Sequence, residues 1–162
     1  MNTKRFILSA FLSWLLLLSL DFLAHASLLR SFWAKELVAL KPQKDLFLLI
    51  PAGYLSFLLL TLLLGWLYTR FNGKEGNAVK GMIFGAKFGA LFALSLLLGW
   101  FSFLNLPFLF LFLVCLVYFI ELVAVGFCFG YLMHPPKVKK RGWIIISVFF
   151  FLFALGIVLQ NL

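Results

Sequence analysis

Charged residues are scarce in this sequence, and acidic residues are the scarcest of them. Of 162 residues, 14 are Lys or Arg, only 5 are Asp or Glu, and 65% of the chain is hydrophobic. Soluble proteins hold roughly 45–50% apolar residues, and a soluble domain of this length has too little interior to bury such an excess. A bilayer accepts helices that are apolar on every side. We therefore expect an integral membrane protein.

Residues for metal, haem or covalent chemistry are also few, with two cysteines and two histidines in the chain. Cys115 and Cys128 would lie about 20 Å apart on one helix at about 1.5 Å per residue, whereas a disulfide needs Cα atoms within about 7 Å. The sequence contains no haem-attachment motif, nucleophile elbow, zinc-protease motif or nucleotide-binding motif. We predict that the protein is not an enzyme and that it has no catalytic residues, metal site or cofactor.

Basic residues give the chain a net charge of +9, but they occur in short clusters between apolar runs. No basic domain is present to hold a nucleic acid, so a nucleic acid partner is not expected. Nine Lys and Arg residues fall on one side of the predicted topology and four on the other. The excess of positive charge on cytoplasmic loops places the amino terminus in the cytoplasm and the carboxyl terminus outside.

Five apolar segments have the roughly 17–25 residues that a membrane-spanning helix needs. The backbone in lipid must satisfy its own hydrogen bonds, and these long uniform runs do not alternate as barrel strands would. We predict an all-α transmembrane bundle in a single domain, with a four-helix core and a carboxyl-terminal span. The predicted spans are residues 6–29, 46–68, 81–104, 107–133 and 143–159.

Two stretches around the first span leave alternatives open. A basic amino end, an apolar run and then Ala24-His25-Ala26 follow the order of a signal peptide, but the run is longer than the usual apolar core, so we expect the segment to be retained. Cleavage would remove both ionisable residues of this span. Residues 31–41 either form a short interfacial helix that ends at Pro42, or they continue the first span beyond the bilayer.

Glycines repeat at four-residue spacing on two neighbouring spans. Small residues at this spacing let two helix backbones approach closely. The connection between these two spans is so short that they must be antiparallel neighbours, and we expect the glycine stripes to face each other or their flanking helices. The glycines are Gly81, Gly85 and Gly89 on the third span and Gly126 and Gly130 on the fourth.

Ionisable residues inside the predicted spans cost about 2.5–3.5 kcal/mol each on insertion scales, so they usually face other helices. Asp21 and His25 are four residues apart on one helix, close enough for the carboxylate to orient the imidazole. Glu121 lies at a depth similar to that of Asp21 on a helix that runs the other way, with Tyr118 one turn from it. We predict that these four residues form an intramembrane polar cluster.

Two further features concern the surroundings of Glu121. Its side chain projects from the face of the fourth span opposite Gly126 and Gly130, so both faces need protein neighbours, and we expect this span at the centre of the bundle. Lys87 lies about two turns from the cytoplasmic interface. It either extends to the lipid headgroups or pairs with Glu121.

The polar cluster has two interpretations. Two carboxylates close together in a low dielectric are not both expected to be ionised, so the cluster could bind and release a proton. Alternatively, it is a hydrogen-bonded clasp that holds the first and fourth spans in register. A divalent cation held by His25 and both carboxylates is chemically allowed, but no spacing motif supports it.

Short motifs along the first 133 residues carry a family resemblance. They are Asp21-Phe22-Leu23-x-His25, Trp66-x-Tyr68-x-Arg70, Lys80-Gly81-x-x-Phe84-Gly85, and Glu121 followed by Gly126-x-x-x-Gly130-Tyr131. Together they resemble an uncharacterised family of small four-span bacterial integral membrane proteins. The resemblance implies the architecture and singles out the same acids, and it implies no activity. The span after the basic turn at residues 137–141 departs from the family pattern.

We therefore expect a small, non-catalytic accessory or scaffold component of the plasma membrane, which in a bacterium is the inner membrane. Its partners would be the lipid bilayer and either other membrane subunits or further copies of itself. The alternative is a small proton-coupled carrier, or a cation or solute transporter, that uses Asp21, His25 and Glu121. A membrane enzyme that acts on lipid ranks last because no nucleophile and base are paired.

Overall fold

The computed structural model of the protein describes residues 3–33, 41, 43–72, 76–133 and 138–162. Most of these residues form helices, and none of them lies in a strand. Five of the helices are long and apolar enough to cross a membrane. The predicted all-α transmembrane bundle is confirmed, and the chain is a multi-pass helical membrane protein.

The first span is built from two kinds of helix. Helix α1, Thr3–Phe22, continues directly into a π-helical segment, Leu23–Leu28, and one further helical turn, α2, covers Arg30–Trp33. Most of the segment for which an interfacial helix was one alternative, residues 34–40, lies outside the described residues. The remaining helices are α3 (Gln43–Asn72), α4 (Ala78–Phe103), α5 (Phe108–Met133) and α6 (Val138–Gln160).

Helix α5 lies at the centre of the bundle and contacts each of the other four long helices. On one side, Val125 and Phe129 of α5 pack with Leu17 of α1 and Leu64 of α3. On another side, Cys128 of α5 belongs to a buried cluster shared with α1 and α6. The position of α5 agrees with the prediction that two opposite faces of this span need protein neighbours.

The closest helix contact is between α4 and α5, where the two glycine stripes meet. A Cβ atom at Gly81 would collide with the backbone carbonyl of Gly126, and one at Gly85 would collide with the carbonyl of Leu122. The backbones therefore touch directly, as small residues at four-residue spacing allow. The glycines in this contact are Gly81, Gly85, Gly89, Gly126 and Gly130.

Helix α6 packs against the outer side of α1 and the π-helical segment. The rings of Phe22 and Phe153 stack with their centroids 4.5 Å apart, and Gly156 leaves room for Phe22 beside the α6 backbone. The hydroxyl of Ser27 donates to the carbonyl of Gly156 over 2.8 Å. The fifth span is thus attached along the second half of the first.

Arginine side chains hold the end of the bundle at which α5 finishes. Arg5 Nη1 donates to the carbonyl of Met133 over 3.2 Å, and Arg141 Nη1 donates to the carbonyl of Tyr131 over 2.8 Å. Cationic side chains at the carboxyl terminus of a helix hydrogen-bond to its last carbonyls and interact favourably with the helix dipole. We call this end, where α1, α4 and α6 begin, the basic end.

Candidate functional site

Asp21 and His25 come together where α1 becomes π-helical. His25 Nε2 lies 3.5 Å from Asp21 Oδ1, and the two side chains are 16% and 18% exposed, respectively. Leu29 N donates to the carbonyl of Ala24 over 2.8 Å, which is the five-residue spacing of a π-helix. Such wide turns inside α-helices often occur at functional sites, and this one carries the histidine.

Trp33 fixes the other side of the imidazole. Its indole Nε1 donates to Nδ1 of His25 over 3.0 Å, and its ring packs edge-on against Phe110 with the centroids 4.9 Å apart. A ring nitrogen that accepts a hydrogen bond carries no proton, so the neutral imidazole holds its proton on Nε2, toward Asp21. This bond was not predicted from the sequence.

Glu121 lies inside the core, with its side chain 1% exposed. Neither carboxyl oxygen has a hydrogen-bond partner among the described residues. The carboxyl group of Asp21 is near enough to interact with it electrostatically. A buried polar group without a hydrogen bond is costly in an apolar environment, and an unpaired charge is far more costly.

Tyr118 is one helical turn before Glu121 on α5. Its side chain is near the carboxyl groups of Glu121 and Asp21. Its ring also lies at the base of an open groove between α3 and α4, which we call the aromatic groove. The aromatic groove has a volume of about 410 Å³, and its aromatic lining is Phe57, Phe92, Trp100 and Tyr118.

The structure separates Lys87 from the predicted cluster. Lys87 is exposed on the face of α4 away from the buried glycines Gly85 and Gly89. Glu121 accepts no hydrogen bond from it. An exposed lysine on a transmembrane helix extends its long side chain to the headgroups, so its position fits that alternative and not pairing with Glu121.

Comparison with known proteins adds no family. No protein family model, curated protein or solved structure matches the chain. Within the described ranges, no three His, Cys, Asp or Glu side chains are grouped closely enough to hold a metal ion. The cluster is thus one close pair, Asp21 and His25, with Glu121 and Tyr118 in electrostatic range.

Three buried hydroxyl groups were missed by the sequence analysis. Ser9 and Ser13 of α1 and Thr61 of α3 are fully buried. The side-chain oxygens of Ser9 and Thr61 have no partner in the described part of the chain, whereas Ser13 lies beside the thiol of Cys128. A Ser or Thr inside an apolar span does not predict an unpaired hydroxyl group, because the hydroxyl can usually bond to the carbonyl four residues earlier. Like Glu121, they are buried polar residues within the bundle.

Proposed function

We propose that this protein is a small proton-coupled membrane carrier whose coupling site is Asp21, His25 and Glu121. The observation that supports it is the carboxyl group of Glu121, which is buried near a second acid and has no hydrogen-bond partner in the described residues. A clasp would hold this carboxyl group in hydrogen bonds. An acid that must hold either a proton or a cation suits a coupling site.

The asymmetry of the cluster supports a route for the proton. Asp21 and His25 are partly exposed, whereas Glu121 is closed off from solvent. His25 presents Nε2 to Asp21 while Trp33 occupies Nδ1. Proton transfer through His25 requires the bond from Trp33 to open, so that Nδ1 takes up a proton while Nε2 releases one to the Asp21 carboxylate. Acid and histidine relays of this kind occur in pumps and transporters.

Infrared difference spectroscopy of the purified protein, recorded across pH steps, tests this function. The carboxylic acid C=O band of the wild type should change with pH, and Glu121→Gln and Asp21→Asn should each remove part of that change. Asp45→Asn provides the control, because Asp45 is an exposed acid at the start of α3. A wild-type spectrum in which only the exposed acids titrate would reject the proposal.

We propose the plasma membrane as the location, with the amino terminus in the cytoplasm, in a bacterium as the resemblance implies. Support comes from the basic end, where Arg5, Arg70, Lys80 and Arg141 occur at the ends of four different helices. Positive residues next to spans favour the cytoplasmic side. A periplasm-dependent phosphatase fused after residue 162 should be active, and the same enzyme fused before residue 1 should be inactive.

A non-catalytic accessory or scaffold component is the second candidate function. The observation in its favour is the exposed phenylalanine pair on α6, Phe150 and Phe151, which are 64% and 66% exposed. Such a surface suits another membrane subunit, a second copy of the chain or lipid. Purification in mild detergent distinguishes the candidates, because an accessory subunit remains in a larger complex and a self-sufficient carrier runs alone or as a homo-oligomer.

A further inference from the structure

One hydrogen bond covers the imidazole at the end of the bundle opposite the basic end, which we call the far end. Trp33, in the single turn of α2, donates its indole N–H to Nδ1 of His25, eight residues earlier in the chain, over 3.0 Å. The two rings meet edge to face, with their centroids 5.4 Å apart. The indole therefore covers the ring nitrogen that does not face Asp21.

The contacts that hold α2 in place differ in their response to a proton. The ring of Trp33 packs edge-on against Phe110 with the centroids 4.9 Å apart, and Phe32 stacks on the same ring at 6.1 Å. Arg30 Nη1 donates to a carbonyl at the end of α6, and a guanidinium stays charged throughout the accessible pH range. Of these contacts, only the bond to His25 depends on protonation.

The indole of Trp33 distinguishes the protonation states of His25, because an indole nitrogen can only donate a hydrogen bond. The neutral imidazole with its proton on Nε2 accepts the bond at Nδ1. The imidazolium carries N–H groups on both nitrogens, and the other neutral tautomer carries its proton on Nδ1. In both of those states two donors would face each other at the present distance, so the bond must break.

The backbone around Leu29 allows the indole to leave. Leu29 joins the π-helical segment to α2 with φ −99° and ψ 7°, outside the α-helical values. Its side chain stays buried against Phe110 and Val114, while its carbonyl accepts the backbone N–H groups of Phe32 and Trp33. Because Trp33 is only half-buried, its side chain can turn away while the span before it stays packed.

We propose that the bond between Trp33 and His25 is a proton-operated latch, which is closed only while His25 is neutral with its proton on Nε2. When the indole turns away, Nδ1 takes up a proton from the far end, and the indole cannot return. Nε2 then passes its own proton to the Asp21 carboxylate, a step for which the inference rests on the proposed function. One proton enters and one leaves, and the latch stays open until the first tautomer is restored.

Several titratable and charged groups surround the latch, and the test must separate them from His25. Asp21 lies on α1 and Arg30 on α2, whereas α6, which packs on the π-helical segment, has its basic residues at its start, at the basic end. Lys35 and Glu36, which follow Trp33 in the sequence, lie outside the described residues. The groups of other helices in range of Asp21 are Tyr54 of α3 and Tyr118 and Glu121 of α5.

Nuclear magnetic resonance of the full chain in detergent, with nitrogen-labelled indole and imidazole rings, tests the latch. His134→Gln is the background, so that one histidine contributes, and Trp33→Phe assigns the Trp33 signal. As the pH falls, the Trp33 indole proton should lose its hydrogen-bonded shift with the same midpoint as the protonation of His25. Trp14 is the internal control, because its indole donates over 2.9 Å to the carbonyl of Tyr54, which does not titrate.

Two variants distinguish a latch from a simple cover over the imidazole. His25→Gln keeps an acceptor that does not titrate, so the Trp33 indole should stay bonded at every pH. Trp33→Phe keeps a ring but removes the donor that stabilises the neutral imidazole, so proton binding to His25 should tighten by roughly 2- to 12-fold, the range of one hydrogen bond. Phe110→Leu alters the packing of Trp33 and keeps its donor, so it should change proton binding by less than about twofold, below that range.

Three results would overturn the latch. The Trp33 signal could stay hydrogen-bonded while His25 takes up a proton, which would show that the indole does not respond. A pH-dependent Trp33 signal in His25→Gln would assign the change to another group. Equal effects of Trp33→Phe and Phe110→Leu on proton binding would make Trp33 a cover.

The latch and the proposed function fail in different ways. If the buried carboxyl groups titrate in the infrared test while the Trp33 signal does not move, the latch is wrong and the proposed function stands. If Trp33 and His25 titrate together while no buried carboxyl group does, the proposed function is wrong and the latch stands.

Discussion

The indole N–H of Trp33 donates to Nδ1 of His25 over 3.0 Å, which determines which nitrogen of the imidazole faces Asp21. The bond joins α2 to the π-helical segment, so a residue after the first span sets the tautomer of a residue within it. A hydrogen bond to one ring nitrogen of a histidine commonly determines which nitrogen carries the proton, and so orients the imidazole for proton transfer.

The Trp33→Phe substitution should change the tautomer of His25. The wild-type neutral imidazole should carry its proton on Nε2, and loss of the indole donor should produce a mixture of both tautomers. Nitrogen NMR of ring-labelled histidine in detergent measures this, with His134→Gln as the background so that one histidine contributes. Trp143→Phe is the control, because Trp143 is an exposed residue of α6. An unchanged spectrum would contradict the role of Trp33.

The Glu121→Met substitution should stabilise the fold while removing the proposed function. The carboxyl group is fully buried and accepts no hydrogen bond from a described residue, so an apolar side chain of similar volume removes an unsatisfied group that costs about 1–3 kcal/mol. Unfolding titrations in mixed detergent measure the change. The control, Leu122→Met, should alter stability by less than about 1.5 kcal/mol. Destabilisation by Glu121→Met would favour the clasp.

The Gly85→Ala substitution should weaken the contact between α4 and α5. The added methyl group meets the carbonyl of Leu122 and the backbone of Gly126, and overpacking of this kind costs about 1–3 kcal/mol. Gly99→Ala on the same helix has open space around its Cβ position and should be neutral or stabilising by up to about 1 kcal/mol. Equal effects of the two substitutions on detergent unfolding would show that the glycine contact contributes no stability.

The Thr61→Val substitution tests whether the buried hydroxyl groups bind water. If Thr61 is unpartnered as the described contacts indicate, then valine should raise the unfolding free energy by about 1 kcal/mol. Thr69→Val is the matched control on α3, because the Thr69 hydroxyl donates to the carbonyl of Trp66 over 2.9 Å. A loss of stability with Thr61→Val would instead indicate an internal water, which bonds to two or more polar groups.

The spans could be predicted from the sequence because length and hydropathy are local properties. Glycine spacing also led to a prediction of close packing between the third and fourth spans, and the structure places Gly81 against Gly126. The two alternatives for Lys87 required the structure, since the distance from Lys87 to Glu121 depends on how two different helices pack. The observed exposure of Lys87 favours extension to the headgroups.

The site itself could be predicted only in part. Asp21 and His25 are close because of their spacing along one helix, and their proximity follows from the sequence. The bond from Trp33 and the aromatic groove depend on how a turn and two distant helices are placed, and no periodic pattern encodes that placement. The hydrogen bonding of Glu121 likewise depends on which polar groups of the other helices lie near its carboxyl group, and the sequence does not show this.

The glycine contact has a mechanical consequence for any carrier cycle. With backbone against backbone along Gly81, Gly85 and Gly126, α4 and α5 make the most extensive helix contact among the described residues, so we expect them to move together. Helix α3, which barely meets α4, has no such constraint. Movement in such a cycle would therefore fall to α3, because the first span also packs closely on α5.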